Sequence, residues 1–213
     1  MGIYVNGLLG AFSGKVGNVV GSNWRSIDYM RSRPKPSKNR LISNKQKQIQ
    51  LKFSNAYHFL NPLREFLALS YPIKKGSKKS AFNMAMANVI SSIEGSHLDF
   101  RFNYQNIQLS KGNLSPVQGV FSLDENDILN LNWKSKISIG TAEDTDIVYI
   151  ILYEEQTKEF YIIQGSERGN GRCEIDLEKI GKGIFQIWTS VSTYDSARFS
   201  NSSYHGMLKY DKK

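Results

Sequence analysis

Ser13-Gly14-Lys15 invites phosphate chemistry, because glycine opens backbone amides to an anion and lysine adds charge. A phosphate loop needs Ser or Thr directly after the lysine and a glycine five positions before its second glycine. Val16 and Leu9 occupy those positions, and the dinucleotide fingerprint G-x-G-x-x-G is absent. His58 and His97 stand alone, without a second ligand at metal spacing. Cys173 is the single cysteine, which excludes an internal disulfide and a cysteine-based zinc site. The acidic groups Glu143-Asp144 with Asp146, and Glu154-Glu155, lack the spacing of a calcium loop. No G-x-S-x-G elbow occurs, so a hydrolase triad has no support. The expectation is a protein that is not an enzyme and holds no cofactor or metal.

A different chemistry is written in the first forty residues. Gly7, Gly10, Gly14, Gly17 and Gly21 recur every three or four positions, followed by a ladder of cations. Phe12, Lys15, Trp24, Arg25, Tyr29, Arg31, Arg33, Lys35, Lys38 and Arg40 form the expected partner-binding set. Pro34 and Pro36 keep this arm extended. Cations beside aromatic rings could track a phosphate backbone and stack bases. The same residues could instead cross a neighbouring subunit and meet its acids. The residues do not choose between these readings.

Charge supports either one. The 213 residues carry a net charge of +9. Residues 1–110 hold 16 basic side chains against 4 acidic ones, and residues 111–213 hold 12 against 15. The basic half calls for an anionic partner, or presents a solvated face. No apolar run approaches the length of a membrane span, and no charged leader precedes an apolar core. Cytoplasmic synthesis without membrane contact is expected.

The elements that must position the arm follow in chain order. Val16–Val20 and Trp24–Met30 read as a β-hairpin turning at Gly21-Ser22. Neither face of its second strand is cleanly apolar, so it needs a surface to lie on. Ser43 and Gln46 start a helix whose stripe is Ile49, Phe53, Ala56 and Leu60. Asn61-Pro62 opens a second helix with Leu63, Phe66, Leu67 and Tyr71 inward. Lys74, Lys75, Lys78 and Lys79 make a basic loop. A third helix spans Ser80 to Ile93, with Phe82, Met86, Val89, Ile90 and Ile93 on one face and Gly95 at its end. From Phe100 the period changes to two.

After Gly112 turn signals recur about every ten residues, as in an all-β sandwich. Seven strands are expected: Val117–Leu123, Ile128–Trp133, Ile147–Tyr153, Phe160–Gln164, Arg172–Leu177, Phe185–Val191 and Tyr204–Tyr210. Ser166 to Gly171 reads as a polar turn. Trp133, the alternation Tyr149-x-Ile151-x-Tyr153, and Phe185-x-Ile187-x-Thr189 make this block resemble a fibronectin type III or related immunoglobulin-like domain.

The opening stretch resembles an uncharacterised domain family common in Bacteroidota and their prophages. The matching residues are Gly7, Gly10, Phe12 to Gly17, Val19 to Ser22, Trp24, Ile27-Asp28, Arg31-Ser32 and Pro34. Ala81-Phe82-Asn83 and Leu109-Ser110-Lys111-Gly112 also fit, while Ser26 stands where glycine is expected. The resemblance implies no activity; its link to mobile elements implies a phage or prophage assembly component.

The expected fold is therefore α+β. A glycine-rich hairpin and basic arm occupy residues 1–40, and helices with short linking strands occupy 41–112. A seven-stranded antiparallel immunoglobulin-like β-sandwich occupies 113–213. The expected function is a structural subunit of a multi-subunit assembly, plausibly a virion, that meets other protein subunits through its arm as a homo-oligomer or larger complex. Nucleic-acid binding by the basic half is the alternative.

Overall fold

The computed structural model describes residues 3–4, 10–24, 27–35, 41–73, 79–95, 99–124, 126–134 and 142–211; for Ile3, Tyr4 and Trp24 only the backbone is described. The chain is α+β and divides into two compact units, Met1–Ser43 and Asn44–Lys213.

The first unit is one antiparallel sheet in the order β1-β2-β3-β4, with β1 at Ile3–Tyr4, β2 at Phe12–Val16, β3 at Val19–Trp24 and β4 at Ile27–Ser32. This corrects the single hairpin expected from the sequence. Val16 pairs with Val19, so the turn is Gly17-Asn18 rather than Gly21-Ser22. Gly17 sits at φ +58°, as a two-residue hairpin with glycine first requires. Gly21 lies within β3 for a different reason. A Cβ there would fall 2.2 Å from the Phe12 carbonyl oxygen and 2.7 Å from the Phe12 ring. The glycine is a seat for an aromatic ring, not a turn.

In the second unit, α1 spans Asn44–Leu60, a 3-10 turn covers Asn61–Leu63, and α2 runs Arg64–Ser70. Pro62 fits at the start of that turn, where a missing N–H costs nothing. Helix α3, Ala81–Ser92, is capped by Ser80, whose hydroxyl accepts the Asn83 amide at 3.2 Å. The chain leaves α3 at Ile93, already extended, so Gly95, at φ +101°, ends the following strand and not the helix as expected. Short strands β5 (Ile93–Glu94) and β6 (Arg101–Phe102) then pair. The stripe expected on α1 is only half used. Ala56 and Leu60 are buried with Phe59, but Ile49 and Phe53 are 68% and 56% exposed. The core begins at the fourth turn of this helix, with Ala56. Lys74, Lys75, Lys78 and His97 lie outside the described residues.

Seven further strands follow: β7 (Gly119–Leu123), β8 (Ile128–Trp133), β9 (Ile147–Glu154), β10 (Phe160–Glu167), β11 (Arg172–Asp176), β12 (Gly183–Ser192) and β13 (Ser203–Tyr210). They form a four-stranded sheet, β10-β9-β12-β13, and a three-stranded sheet, β11-β8-β7, all antiparallel. Alternation along β9 sends Val148, Ile150 and Leu152 into a core shared with Leu129, Leu131 and Ile175 of the three-stranded sheet. Ile151 and Tyr153 point the other way, into a core built with Phe59, Leu63, Leu67 and Val89. Residues of 41–112 and of 113–213 thus pack into one core. Strand β12 alternates poorly in sequence because it is buried on both faces and bulges against β13 between Ile187 and Trp188.

The turn at Ser166 to Gly171 holds more than a turn. Arg168 and Asp146 form an ion pair, Nε to Oδ2 at 3.2 Å, with both side chains 1% exposed. Arg168 Nη2 donates to the Ser115 carbonyl at 2.5 Å, and the Glu143 amide donates to Asp146 Oδ2 at 3.0 Å. The Trp133 indole N–H donates to the Arg168 carbonyl at 2.8 Å. The pair fastens the β10–β11 connection to the loops before β7 and β9.

Removing one partner of such a pair strands the other charge, at a cost of about 3–5 kcal/mol. Arg168→Met and Asp146→Leu are each expected to lower stability by that amount in urea unfolding, with the double variant costing less than their sum. Losses below about 1 kcal/mol for both single variants would contradict this role.

A pH limit follows from buried phenols. Burial, with Glu155 and Glu154 adding, pushes Tyr153 up to about 12. Burial also raises Tyr71, and burial with Glu155 raises Tyr104. Unfolded tyrosine titrates near ~10. The raised folded values mean that this stabilisation is complete below pH ~10 and drains away as pH rises toward ~12. Phenolate absorbance and loss of circular dichroism should therefore rise together above pH ~10. Full ionisation of the 11 tyrosines with the fold intact would contradict it.

Candidate interaction site

Register decides which arm residues meet. Cross-strand partners share a face of an antiparallel sheet. Lys15 pairs with Val20, and Val20 with Arg31, which makes one row across three strands. Ser22 pairs with Tyr29 in the next row on the same face. This face therefore carries Lys15, Arg31 and Tyr29 together. Phe12 belongs to the opposite face, over Gly21, whose partner is Met30. The expected set is thus split between two faces.

Arg33 follows β4, and its amide donates to the Asn18 carbonyl at 2.8 Å. Lys35 is exposed beyond it. The Trp24 backbone pairs with Ile27. Arg25, Lys38 and Arg40 lie outside the described residues. Among the described residues, no acid forms an ion pair with Lys15, Arg31, Arg33 or Lys35. Asp28 instead accepts a 2.8 Å bond from the Asn23 amide group across the sheet.

Apolar exposure accompanies the charge. Met30 is 71% and Ile27 63% exposed, and Val16, Val19 and Tyr29 are also in water. Gly21 is the buried residue of this unit among those described. What the sheet offers chemically is a cation row with an aromatic ring on one side, an apolar group on the other, and, at β4, an edge with no strand partner among the described residues.

The remaining reactive side chains are placed otherwise. His58 is exposed and lies edge-on to Tyr57 at 5.8 Å. Burial pushes the Cys173 thiol up. His205, not singled out in the sequence, sits with Nε2 2.7 Å from the Thr189 hydroxyl, and burial lowers its pKa. Among the described residues, no group of three or more His, Cys, Asp or Glu could hold a metal ion.

Leu109 to Gly112 forms a strap. The Leu109 amide donates to Ser202 Oγ at 2.8 Å, and the Lys111 amide to the Ser70 carbonyl at 3.0 Å. Ser190 Oγ donates to Ser110 Oγ at 2.7 Å, and Ser110 to the Ser200 carbonyl at 2.9 Å. Gly112 allows the close approach: a Cβ there would lie 1.9 Å from the Phe199 carbonyl oxygen. The strap borders an open cleft of about 480 Å³ lined by Leu69, Pro72, Lys111, Arg198, Phe199 and Asn201 among others.

A family match runs from residue 11 to residue 206, from the approach to β2 into β13. The chain belongs to DUF6266, a family of unknown function. The DUF6266 match takes in β2, β3 and β4 as well as most of the Asn44–Lys213 unit, so the sheet belongs to the family's shared domain. No curated protein matches the chain.

The Phe12 seat gives a direct check on the DUF6266 sheet. Gly21→Val places side-chain atoms where the ring lies and is expected to cost about 1–3 kcal/mol locally. Amide exchange at Gly14 and Val16, whose backbone groups face β3, should accelerate accordingly. Unchanged exchange would show that the ring does not depend on this glycine.

Proposed function

We propose that this chain is a non-enzymatic structural subunit that engages neighbouring copies in a multi-subunit assembly through its N-terminal sheet. The observation that carries this reading is the exposure of that sheet. Its β4 strand is exposed at every position, with Met30 71% and Ile27 63% in water. Such a sheet gains little from its own packing and offsets its ordering entropy poorly. Contact with a partner supplies the missing burial, as in folding coupled to binding.

The Asn44–Lys213 unit is read as the rigid body, with β7 to β13 as a fibronectin type III or immunoglobulin-like sandwich. Support comes from seven antiparallel strands in a three- and a four-stranded sheet that share one core. The sequence resemblance to a family met in Bacteroidota and prophages favours a virion or related particle as the assembly.

A second reading has its own observation. The Lys15–Arg31 row beside Tyr29 is the combination that binds single-stranded nucleic acid. Phosphate contacts would make retention on DNA fall steeply as salt rises.

The primary test is sedimentation of the full chain beside a chain starting at Leu41. The full chain is expected to associate and the shortened one to remain monomeric. Equal behaviour of the two would remove the arm from assembly. Salt-sensitive DNA binding without self-association would favour the second reading.

A further inference from the structure

One backbone bond settles which groups of β4 face outward. The Arg33 amide donates to the Asn18 carbonyl at 2.8 Å, so these residues are a hydrogen-bonded pair. Antiparallel pairs alternate between bonded and non-bonded. Arg31, Tyr29 and Ile27 therefore bond inward to Val20, Ser22 and Trp24. The amides and carbonyls of Asp28, Met30 and Ser32 point away from β3, along the outer edge of the sheet. Sheets guard such edges with proline, bulges or inward charges. The β4 sequence IDYMRS has no proline, and its register with β3 is unbroken from Val19↔Ser32 to Trp24↔Ile27. Of the described edge strands, it is the one exposed at all positions.

We propose that this edge pairs with β4 of a second copy of the chain, antiparallel about a two-fold axis at Met30, and joins two four-stranded sheets into one. The proposal rests on the reading of the arm as an assembly surface and names its partner and register. Two copies related by an axis normal to the sheet can oppose only residues of the same face. Three registers oppose two or more of these outward residues, centred on Tyr29, Met30 or Arg31. The Arg31 register sets two guanidinium groups against each other, which is destabilising. The Tyr29 register leaves Ser32 without an opposite within the strand and sets Arg31 against Ile27.

The Met30 register satisfies every outward group. Asp28 faces Ser32, a hydroxyl donor for its carboxylate. Tyr29 faces Arg31, a cation against an aromatic ring. Met30 faces its own copy, and its exposed side chain gains cover. A single strand pair is a small contact. It becomes persistent when many subunits repeat it, because neighbouring contacts raise the effective concentration of each.

Cysteine pairing in the full chain tests the register. Bonded and non-bonded antiparallel pairs hold their Cα atoms ~5.5 and ~4.5 Å apart, both within disulfide reach. Met30→Cys is expected to form a disulfide dimer at least about tenfold faster than Tyr194→Cys, an exposed control, given the raised effective concentration. Mixed Tyr29→Cys and Arg31→Cys chains should yield the heterodimer, and each alone should yield little. Met30→Pro removes an outward N–H without breaking a bond to β3, and should abolish self-association through this edge.

Tyr29→Cys pairing with itself as readily as with Arg31→Cys would overturn the register. Met30→Cys reacting no faster than the control would overturn the edge pairing. If the full chain still associates and the chain starting at Leu41 does not, the arm remains the assembly surface and only this pairing falls. If the full chain does not associate at all, both fall.

Discussion

Side chains on β9 and β12 leave the strand on alternate sides, and in this protein both sides are covered. Val148, Ile150 and Leu152 meet the three-stranded sheet, while Ile151, Tyr153 and Trp188 meet the helices. The four-stranded sheet is therefore a shared wall between two cores. Trp188 and Phe185 are almost fully buried within it. Truncation of either side chain would cost about 3–5 kcal/mol. The Arg168–Asp146 pair and the Leu109–Gly112 strap fix the loops around this wall through bonds that no water can replace at such burial.

The N-terminal sheet is the opposite case. It has regular pairing across four strands, yet Val16, Val19, Ile27, Tyr29 and Met30 stand in water. Backbone ladders alone return little net free energy, because the same groups bond to water in the unfolded chain. Phe12 over Gly21 is a local anchor, not a core. The physical contrast between a sheet covered on two faces and one whose β4 strand is exposed at every position underlies the functional proposal.

Much of the second unit was legible in the sequence because its periods are regular. Ile128–Trp133 appears as expected, and the other β-strand boundaries lie within a few residues. Helix α3 was legible from its spacing, though Ser80, read as its first residue, is its cap. What failed depended on tertiary context. Gly21-Ser22 looks like a turn until the Phe12 ring is seen to need that space. Ile49 and Phe53 continue the apolar stripe of α1 but extend beyond what the core covers. Arg168 reads as a loop charge, since no local pattern announces a carboxylate 22 positions away. For the arm, residue types were legible but their faces were not. The row Lys15–Val20–Arg31 exists only once the turn is placed at Gly17-Asn18, and Phe12, three residues before Lys15 in β2, falls on the other face.

Amide hydrogen exchange across residues 12–32, in dilute monomer and in the assembled state, tests the central claim most directly. The account predicts weak protection of β2 to β4 in the monomer, strong protection on assembly, and little change in β9 and β12. Strong protection of β2 to β4 in the dilute monomer would mean that the sheet is stable without a neighbour, and would contradict the account.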